Sequence, residues 1–498
     1  MSPDLLVLAF DVGTSGVKAV LCDTAGAVRS SAYRAYPLIT LRDGGVEQDC
    51  TVIFEAVAES GAELLAEQDP GLVAGIAVTA QMFNVVAVDA TGAPTGMMLS
   101  WLDQRADVTA RKLASNLPDQ FDVFGARLTA KDVVPRILWL RDERPDEYDR
   151  ARWLLDCKEA VVMWLTGRAV IDPSGASAFR LATDDGRAWD AARCAAAGVD
   201  ARLLPPIEPA TDVAGGLRPE VASRMGLPAG IDVFVGTGDV PASQLGSGAV
   251  MPGDAHLSLG TAAYFGLLLD EHHPDPARNL APLVHPDGRS VVLWLEIATG
   301  GAALAWAMRV TGLVADGGAD FARMEELVEA ADDDMGALLF APWFTGERVP
   351  IFDDSLRGVV VGLDLHHGPG HLLRSVMLGV AYQLRWALEY GEAFGEPAKR
   401  ILAVGGGALG AGWCQIIADV LGRELICLDQ AQDAAAIGAA SCALVGLGTQ
   451  ASFMFLGDRP TSSLTYTPRR EAHLRYSREF VRFQALASTS RGGVDHDR

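Results

Sequence analysis

The stretch from Ile231 to Phe265, IDVFVGTGDVPASQLGSGAVMPGDAHLSLGTAAYF, decides the fold. An apolar strand runs into Gly236-Thr237-Gly238-Asp239, which sets a carboxylate on a glycine turn, and a second strand ends in Ser258-Leu259-Gly260-Thr261. The amino terminus repeats this pattern. Leu5 to Asp11 is an apolar strand closing on an acid, Val12-Gly13-Thr14-Ser15-Gly16 turns the chain, and Val17 to Cys22 is apolar again. Two copies of strand, Gly-Thr turn and strand, about half a chain apart, predict two similar lobes facing each other across a cleft, each with one such hairpin.

The size of the chain agrees. At 498 residues it exceeds one ordinary core, so two domains of about 200 to 250 residues are expected. A 49% hydrophobic content with 53 glycines and 25 prolines fits a globular α/β protein with many tight turns. The net charge of −23 argues against a nucleic-acid partner, whose phosphates need basic surface. Seven scattered cysteines, without close metal-ligand spacing, fit a reducing cytoplasm. Met1-Ser2-Pro3-Asp4 lacks the basic start of a signal peptide. Ala434 to Gly457 is uncharged and long enough to span a bilayer, yet it is rich in Ala, Gly and Ser and interrupted by Gly446-Leu447-Gly448. It reads as a buried helix followed by a loop, and no membrane segment is expected.

Further along, Ala27 to Thr40 is extended, and Asp49 or Thr51 caps a helix with Phe54, Val57, Gly61, Leu64 and Leu65 on one face. Gly75 to Thr79 is a strand running into Ala80-Gln81-Met82-Phe83-Asn84. Ser100-Trp101-Leu102-Asp103-Gln104-Arg105 lies near another strand end, where open α/β sheets gather ligands. Residues 106–230 read as an insertion of helices and loops, with Asp172 to Arg180 a loop of small residues and Gly215-Gly216 loop punctuation. In the second half, Val291 to Glu296 is a strand, Ala298-Thr299-Gly300-Gly301 a turn and Ala302 to Val310 a helix. Ile401 to Val404, Gly405-Gly406-Gly407-Ala408 and the helix face from Trp413 to Leu421 form a strand, glycine turn and helix start, a pattern that can receive a nucleotide through backbone N–H groups. The tail after Ala485 is polar and expected to be disordered.

Taken in order, the Asp-x-Gly-Thr-Ser-Gly hairpin, Gly-Thr-Gly-Asp, Leu-Ser-Leu-Gly-Thr and Gly-Gly-Gly-Ala resemble the FGGY carbohydrate kinases, and among them the xylulokinases. The resemblance covers nearly the whole chain. It includes Val46 to Asp49, Trp101 to Arg105, Gly346-Glu347-Arg348-Val349-Pro350 and Tyr466 to Arg470. It implies an α/β fold of two actin-like (ribonuclease-H-like) domains around a nucleotide and sugar cleft, here residues 1–247 and 248–485 with a tail at 486–498.

By the same resemblance, Asp239 is the general base and Asp11 the acid that holds Mg²⁺ through water. Gly13, Thr14, Ser15, Lys18, Gly260, Thr261, Gly300, Gly301, Gly406, Gly407 and Ala408 are implied to bind ATP, and Gln81, Met82, Phe83, Trp101 and Asp239 the acceptor. The acceptor would be a small neutral sugar or polyol. A homodimer is compatible with the resemblance, although no stretch identifies an interface. The sequence departs at the sugar site, where xylulokinases typically carry Gln-Met-His-Gly and this chain has Gln81-Met82-Phe83-Asn84. Val240-Pro241 likewise replaces the usual Asn-Ala. Phe83 has no hydrogen-bonding atoms to give a hydroxyl. D-xylulose therefore stands beside another ketose, erythritol, glycerol or a deoxy sugar, and beside a non-catalytic actin-like ATP-binding sensor or assembly protein.

Overall fold

The computed structural model describes residues 5–125, 128–270, 282–315, 318–331, 335–353, 355–395, 397–428, 431–458 and 463–491. The chain is a mixed α/β protein of two compact units, one comprising Met1–Pro252, Leu268–Leu293 and Asp433–Pro460, the other Gly253–Leu267, Trp294–Gln432 and Thr461–Arg498. The small-residue helix Ala434–Gly446 thus packs with the amino-terminal unit.

The first unit is built on a six-stranded sheet in the order Val213–Gly216, Asp232–Phe234, Val73–Ala80, Leu6–Val12, Gly16–Asp23, Val28–Ala35. Leu6–Val12 is parallel to Val73–Ala80 and antiparallel to Gly16–Asp23. Its near-continuous apolar sequence follows from being covered on both faces. Leu6, Leu8, Phe10 and Val12 pack with Ile53 and Val57 of the helix Cys50–Leu65 and with Val161 and Leu165 of Cys157–Thr166. Val7 and Ala9 point the other way, onto Leu245 of Asp239–Ser247 and Ile437, Ala440 and Leu444 of Ala434–Gly446.

The helix Cys50–Leu65 starts where the sequence places it, with the Asp49 carboxylate accepting from Thr51 N at 2.8 Å. The composition of Ala434–Gly446 also has a local cause. A Cβ on Gly438 would collide with the carbonyl of Ala242, and one on Gly246 with that of Ala434, so the two helices touch backbone to backbone. Small side chains there serve close helix packing. Among the described residues no helix is long and apolar enough to cross a membrane.

A second sheet, most of whose residues belong to the second unit, has Val291–Ile297, Ala263–Leu269, Asp254–Leu259, Arg400–Val404, Leu425–Leu428 and Ser463–Tyr466 as successive neighbours. Asp254–Leu259 forms a hairpin with Ala263–Leu269 and lies parallel to Arg400–Val404. The order of these six strands is that of the first unit, as are the antiparallel hairpin and its parallel neighbour, so the duplicated hairpin heads a duplicated sheet.

Three expectations need correction. Asp172 to Arg180 is not a loop, because Asp172 accepts from the backbone N–H groups of Ser174 and Gly175 and starts the short helix Pro173–Ala178. Gly215 and Gly216 belong to the edge strand Val213–Gly216. The tail does not lose order at Ala485. The helix Arg470–Arg491 continues past it, held by a buried stripe of Tyr476, Phe480, Phe483 and Ala487 at helical spacing. Residues 492–498 of that expected tail lie outside the described residues.

Candidate active site

In the first unit the Gly-Thr turn is closed by Gly13 N donating to Gly16 O at 2.9 Å, and Gln81 N bonds Val12 O at 2.9 Å, so the ends of the two parallel strands lie together. Thr14 sits at the centre of a side-chain network. Its hydroxyl donates to Gln81 Oε1 at 3.1 Å and accepts from Trp101 Nε1 at 3.0 Å, while Gln48 Nε2 donates to its carbonyl at 2.9 Å. Gln81 Nε2 in turn donates to Gln48 Oε1 at 2.6 Å. Gln81 and Trp101 are thereby placed beside Thr14, while Ser15 is exposed at the turn.

Asp11 lies opposite Lys18 in the hairpin, and Lys18 Nζ is held by Asp433 Oδ1 at 3.0 Å. Burial pushes the Asp11 carboxyl up to about 6, against the lowering effect of Lys18 and with a small further rise from Asp433. No described group donates a hydrogen bond to the Asp11 side chain. A hard carboxylate with free oxygens suits Mg²⁺, which keeps most of its waters and takes one or two carboxylates beside phosphate oxygens.

The acceptor segment is clamped from behind. Phe83 adopts a left-handed backbone with φ of 68°, strained for an aromatic residue, and its carbonyl accepts from the buried Arg136 guanidinium, which also bonds Trp101 O at 2.6 Å. Asn84 Oδ1 accepts Trp101 N at 3.0 Å, and Asn84 Nδ2 donates to Gln81 O at 2.9 Å and Asp156 Oδ1 at 2.8 Å. Met82 is buried against Gly238, next to Asp239.

Asp239 is the first residue of the helix Asp239–Ser247, with Gly238 at the cap position. Some of its surface remains accessible, yet it sits in a deep recess. Desolvation pushes its carboxyl up to about 8, with Asp11 and Asp156 adding repulsion and the backbone N–H groups at the helix start opposing it. The approach to Asp239 is braced by a buried charge network. Lys158 Nζ meets Glu159 Oε1 at 2.8 Å, Asp172 Oδ1 at 3.2 Å and Val235 O at 3.2 Å, and Thr237 Oγ1 donates to Asp172 Oδ2 at 2.9 Å.

The structure brings the other set of expected residues together within the second unit. Gly300 N donates to Thr261 O at 3.0 Å and Gly301 N to Gly260 O at 2.8 Å, which docks the start of the helix Gly301–Val310 on the exposed Gly-Thr turn. Gly405, at φ of 95°, passes so close to Leu259 that a Cβ would stand 2.7 Å from its carbonyl. Only glycine suits that position. Gly406 is exposed with open space around it, Gly407 abuts Leu259, and Ala408 is buried in the same turn. Glu347, 1% exposed, accepts from Ala298 N at 2.8 Å and Arg348 N at 2.7 Å, and burial pushes its carboxyl up to about 8. It ties the Gly346 to Pro350 loop to the turn that contains Gly300.

Sequence reasoning named Gln48, Asn84 and Thr237 only as members of motifs, without a role, and missed Arg136, Asp156, Lys158, Asp172 and Asp433 as parts of this arrangement. The available signal was polarity in otherwise apolar surroundings, as in Asn84 between Phe83 and Val85 or Asp433 before a run of alanines.

Residues 6–246 match the family model described as the FGGY family of carbohydrate kinases, N-terminal domain, and residues 255–447 its C-terminal domain. A gluconokinase of Bacillus subtilis (strain 168) is 26% identical over 482 residues, covering 94% of this chain and 93% of its own. A xylulose kinase of the same organism is 27% identical over 445 residues, with 89% and 88% covered. The crystal structure of a xyloylose kinase from Brucella ovis is similar at a TM-score of 0.90 and 27% identity, over 97% of this chain and 98% of that one.

Proposed function

The chain belongs to the FGGY family of carbohydrate kinases, ATP-dependent sugar kinases, and we propose that it phosphorylates a hydroxyl of a small neutral sugar or polyol, a ketopentose such as D-xylulose first among them. The observation that carries this reading is Asp239, a carboxyl at the start of a helix, raised to about 8 and adjoining the segment of Gln81, Met82 and Phe83. A carboxylate with high proton affinity is suited to take the proton of an alcohol.

In the proposed reaction the acceptor hydroxyl oxygen attacks the γ-phosphorus of ATP, the bond to the β,γ-bridging oxygen breaks, ADP leaves, and the hydroxyl proton passes to Asp239. Gly13, Thr14 and Ser15 would offer N–H and hydroxyl donors to the phosphates, with Lys18 as a neighbouring cation already anchored on Asp433. Gly260, Thr261, Gly300, Gly301, Gly406, Gly407 and Ala408 would bound the nucleotide. The open space at Gly406 and the exposed Gly260-Thr261 turn support that assignment. Asp11 would hold Mg²⁺, which supplies charge neutralisation to the phosphates when bound. Trp101, Gln81, Met82 and Phe83 would line the acceptor. Phe83 in place of a histidine favours an acceptor that needs fewer hydrogen bonds on that side, which keeps other ketoses, erythritol and glycerol beside D-xylulose.

The test is ADP release with Mg²⁺-ATP against a panel of pentuloses, hexuloses, aldonates and polyols, with Asp239→Ala alongside. One acceptor should stimulate turnover, and the variant should lose about 10²–10⁴-fold while still binding ATP. If no acceptor raises turnover above the variant's level, the chain is a nucleotide-binding protein without this activity.

A further inference from the structure

Asp156 has no part in the reaction just described, yet it is bonded to the same asparagine that holds Trp101. It stands between the strand Trp153–Leu155 and the helix Cys157–Thr166. Its Oδ1 collects three donors: Asn84 N at 3.0 Å, Asn84 Nδ2 at 2.8 Å and Cys157 N at 2.6 Å. No described residue donates to Oδ2. The side chain is only 5% exposed, and Oδ2 is not among the fully enclosed polar atoms, so it keeps an opening. A carboxylate oxygen this deep, without a donor, is costly until something supplies one.

We propose that Asp156 is an acceptor-binding residue whose Oδ2 takes a hydrogen bond from a hydroxyl of a neutral polyhydroxy substrate, and that it sets the site against aldonates. The inference rests on the kinase reading above and names the substrate class within it. Its first support is position. Through Asn84 the carboxyl belongs to the hydrogen-bonded patch that also fixes Gln81, Phe83 and Trp101.

The second support is charge. Asp156 and Asp11 both raise the proton affinity of Asp239, so three carboxyls act on one recess. Four cations of the same unit are already engaged. Lys158 is held by Glu159 and Asp172, Lys18 by Asp433 and Arg105 by Asp103 and Glu47, and Arg136 donates to the carbonyls of Phe83 and Trp101. A hydroxyl can donate to Asp156, whereas an aldonate carboxylate would bring like charge to it.

The experiment compares kcat/KM for D-xylulose, other ketoses and polyols with that for D-gluconate, in the wild type, Asp156→Asn and Asp156→Ser. Asparagine keeps the shape and the Oδ1 acceptor, and serine can still cap the helix. The wild type should favour its best neutral acceptor over gluconate by about 100-fold or more, as like-charge juxtaposition costs. Each variant should raise KM for the neutral acceptor about 10- to 100-fold, the loss of one charge-assisted hydrogen bond, and narrow the gap to gluconate. KM for ATP should stay near wild type, and the melting temperature should fall less for Asp156→Asn than for Asp156→Ser, which strands both Asn84 donors.

An unchanged acceptor KM, or an equal fall in kcat for every acceptor, would overturn the inference. Preference of the wild type for gluconate would also overturn it while leaving the kinase reading standing. A wild type that binds ADP but turns over no acceptor removes both. If neither variant folds, the preference of the wild type decides alone.

Discussion

The two Gly-Thr hairpins share a strand order and differ in almost everything that carries charge. In the first, Asp11 faces Lys18 across the ladder, whereas the same place in the second, counted back from Gly-Thr, is Ser258 facing Tyr264. The first turn joins Val12 to Val17 and the second Leu259 to Ala263, one residue shorter. Thr14 is tied to Gln81 and Trp101 by its side chain, while Thr261 is exposed and receives the N–H groups of Gly300 and Ala302 on its carbonyl. One copy carries carboxylates and bonded polar side chains, the other backbone and glycine. A duplicated backbone does not dictate duplicated chemistry, because a few polar substitutions at equivalent positions change what each turn can bind.

That contrast is open to direct attack. Asp11→Asn should lower kcat with Mg²⁺-ATP by about 10²–10³-fold, the scale of losing a preorganised charge. Ser258→Ala should change it by less than about threefold. Steady-state ADP release measures both, and equal losses would mean that the hairpins share a role.

Within the glycine-built unit, Gly405→Ala should destabilise by about 1–3 kcal/mol, since the residue has φ of 95° and meets the Leu259 carbonyl. Gly406→Ala, with open space around it, should leave stability within about 0.5 kcal/mol and instead raise KM for ATP several-fold. Urea unfolding and ATP titration separate the two. A Gly406 variant that loses stability but keeps its ATP affinity would remove that glycine from the proposed nucleotide site.

Thr14→Val should cost about 1–2 kcal/mol, because Trp101 Nε1 and Gln81 Oε1 both lose a partner. Thr261→Val should cost nothing measurable by the same denaturation experiment. Equal costs would show that the second turn is also held by its side chain.

The smallest expected effect is in pH dependence, where the units are alike. Asp239 in one and Glu347 in the other are both raised to about 8 by burial. Their values in the unfolded chain lie near 4, so between roughly pH 4 and 8 the folded state holds protons that the unfolded state releases, and stability falls as pH rises. Asp239→Asn and Glu347→Gln should each recover part of that fall, about 2–4 °C in melting temperature at pH 8 against no gain near pH 4. Glu347→Gln should give the larger share, being the more buried. Gains at pH 4 equal to those at pH 8 would attribute the effect to packing.

The legible parts were those with a local cause. Asp49 before a helical apolar pattern marked the start of Cys50–Leu65, and Gly-Thr between apolar runs marked both hairpins. The Asp172 segment was misread because small residues suit loops and close-packed helices alike, and nothing nearby shows that Ser174 and Gly175 donate to the Asp172 carboxylate. The carboxyl-terminal helix was cut short for a similar reason. Its polar surface hid the stripe from Tyr476 to Ala487.

Strands, turns, helix starts and the two-fold repeat were written in the chain, because near neighbours and periodicity specify them. The pairing of Lys18 with Asp433, 415 positions away, was not. Neither was the bond from Asn84 to Asp156, nor the proton affinity of Asp239. Such properties depend on which elements pack against which, and on how far each charge is removed from water. They arise only once strands and helices from distant parts of the chain have closed around them.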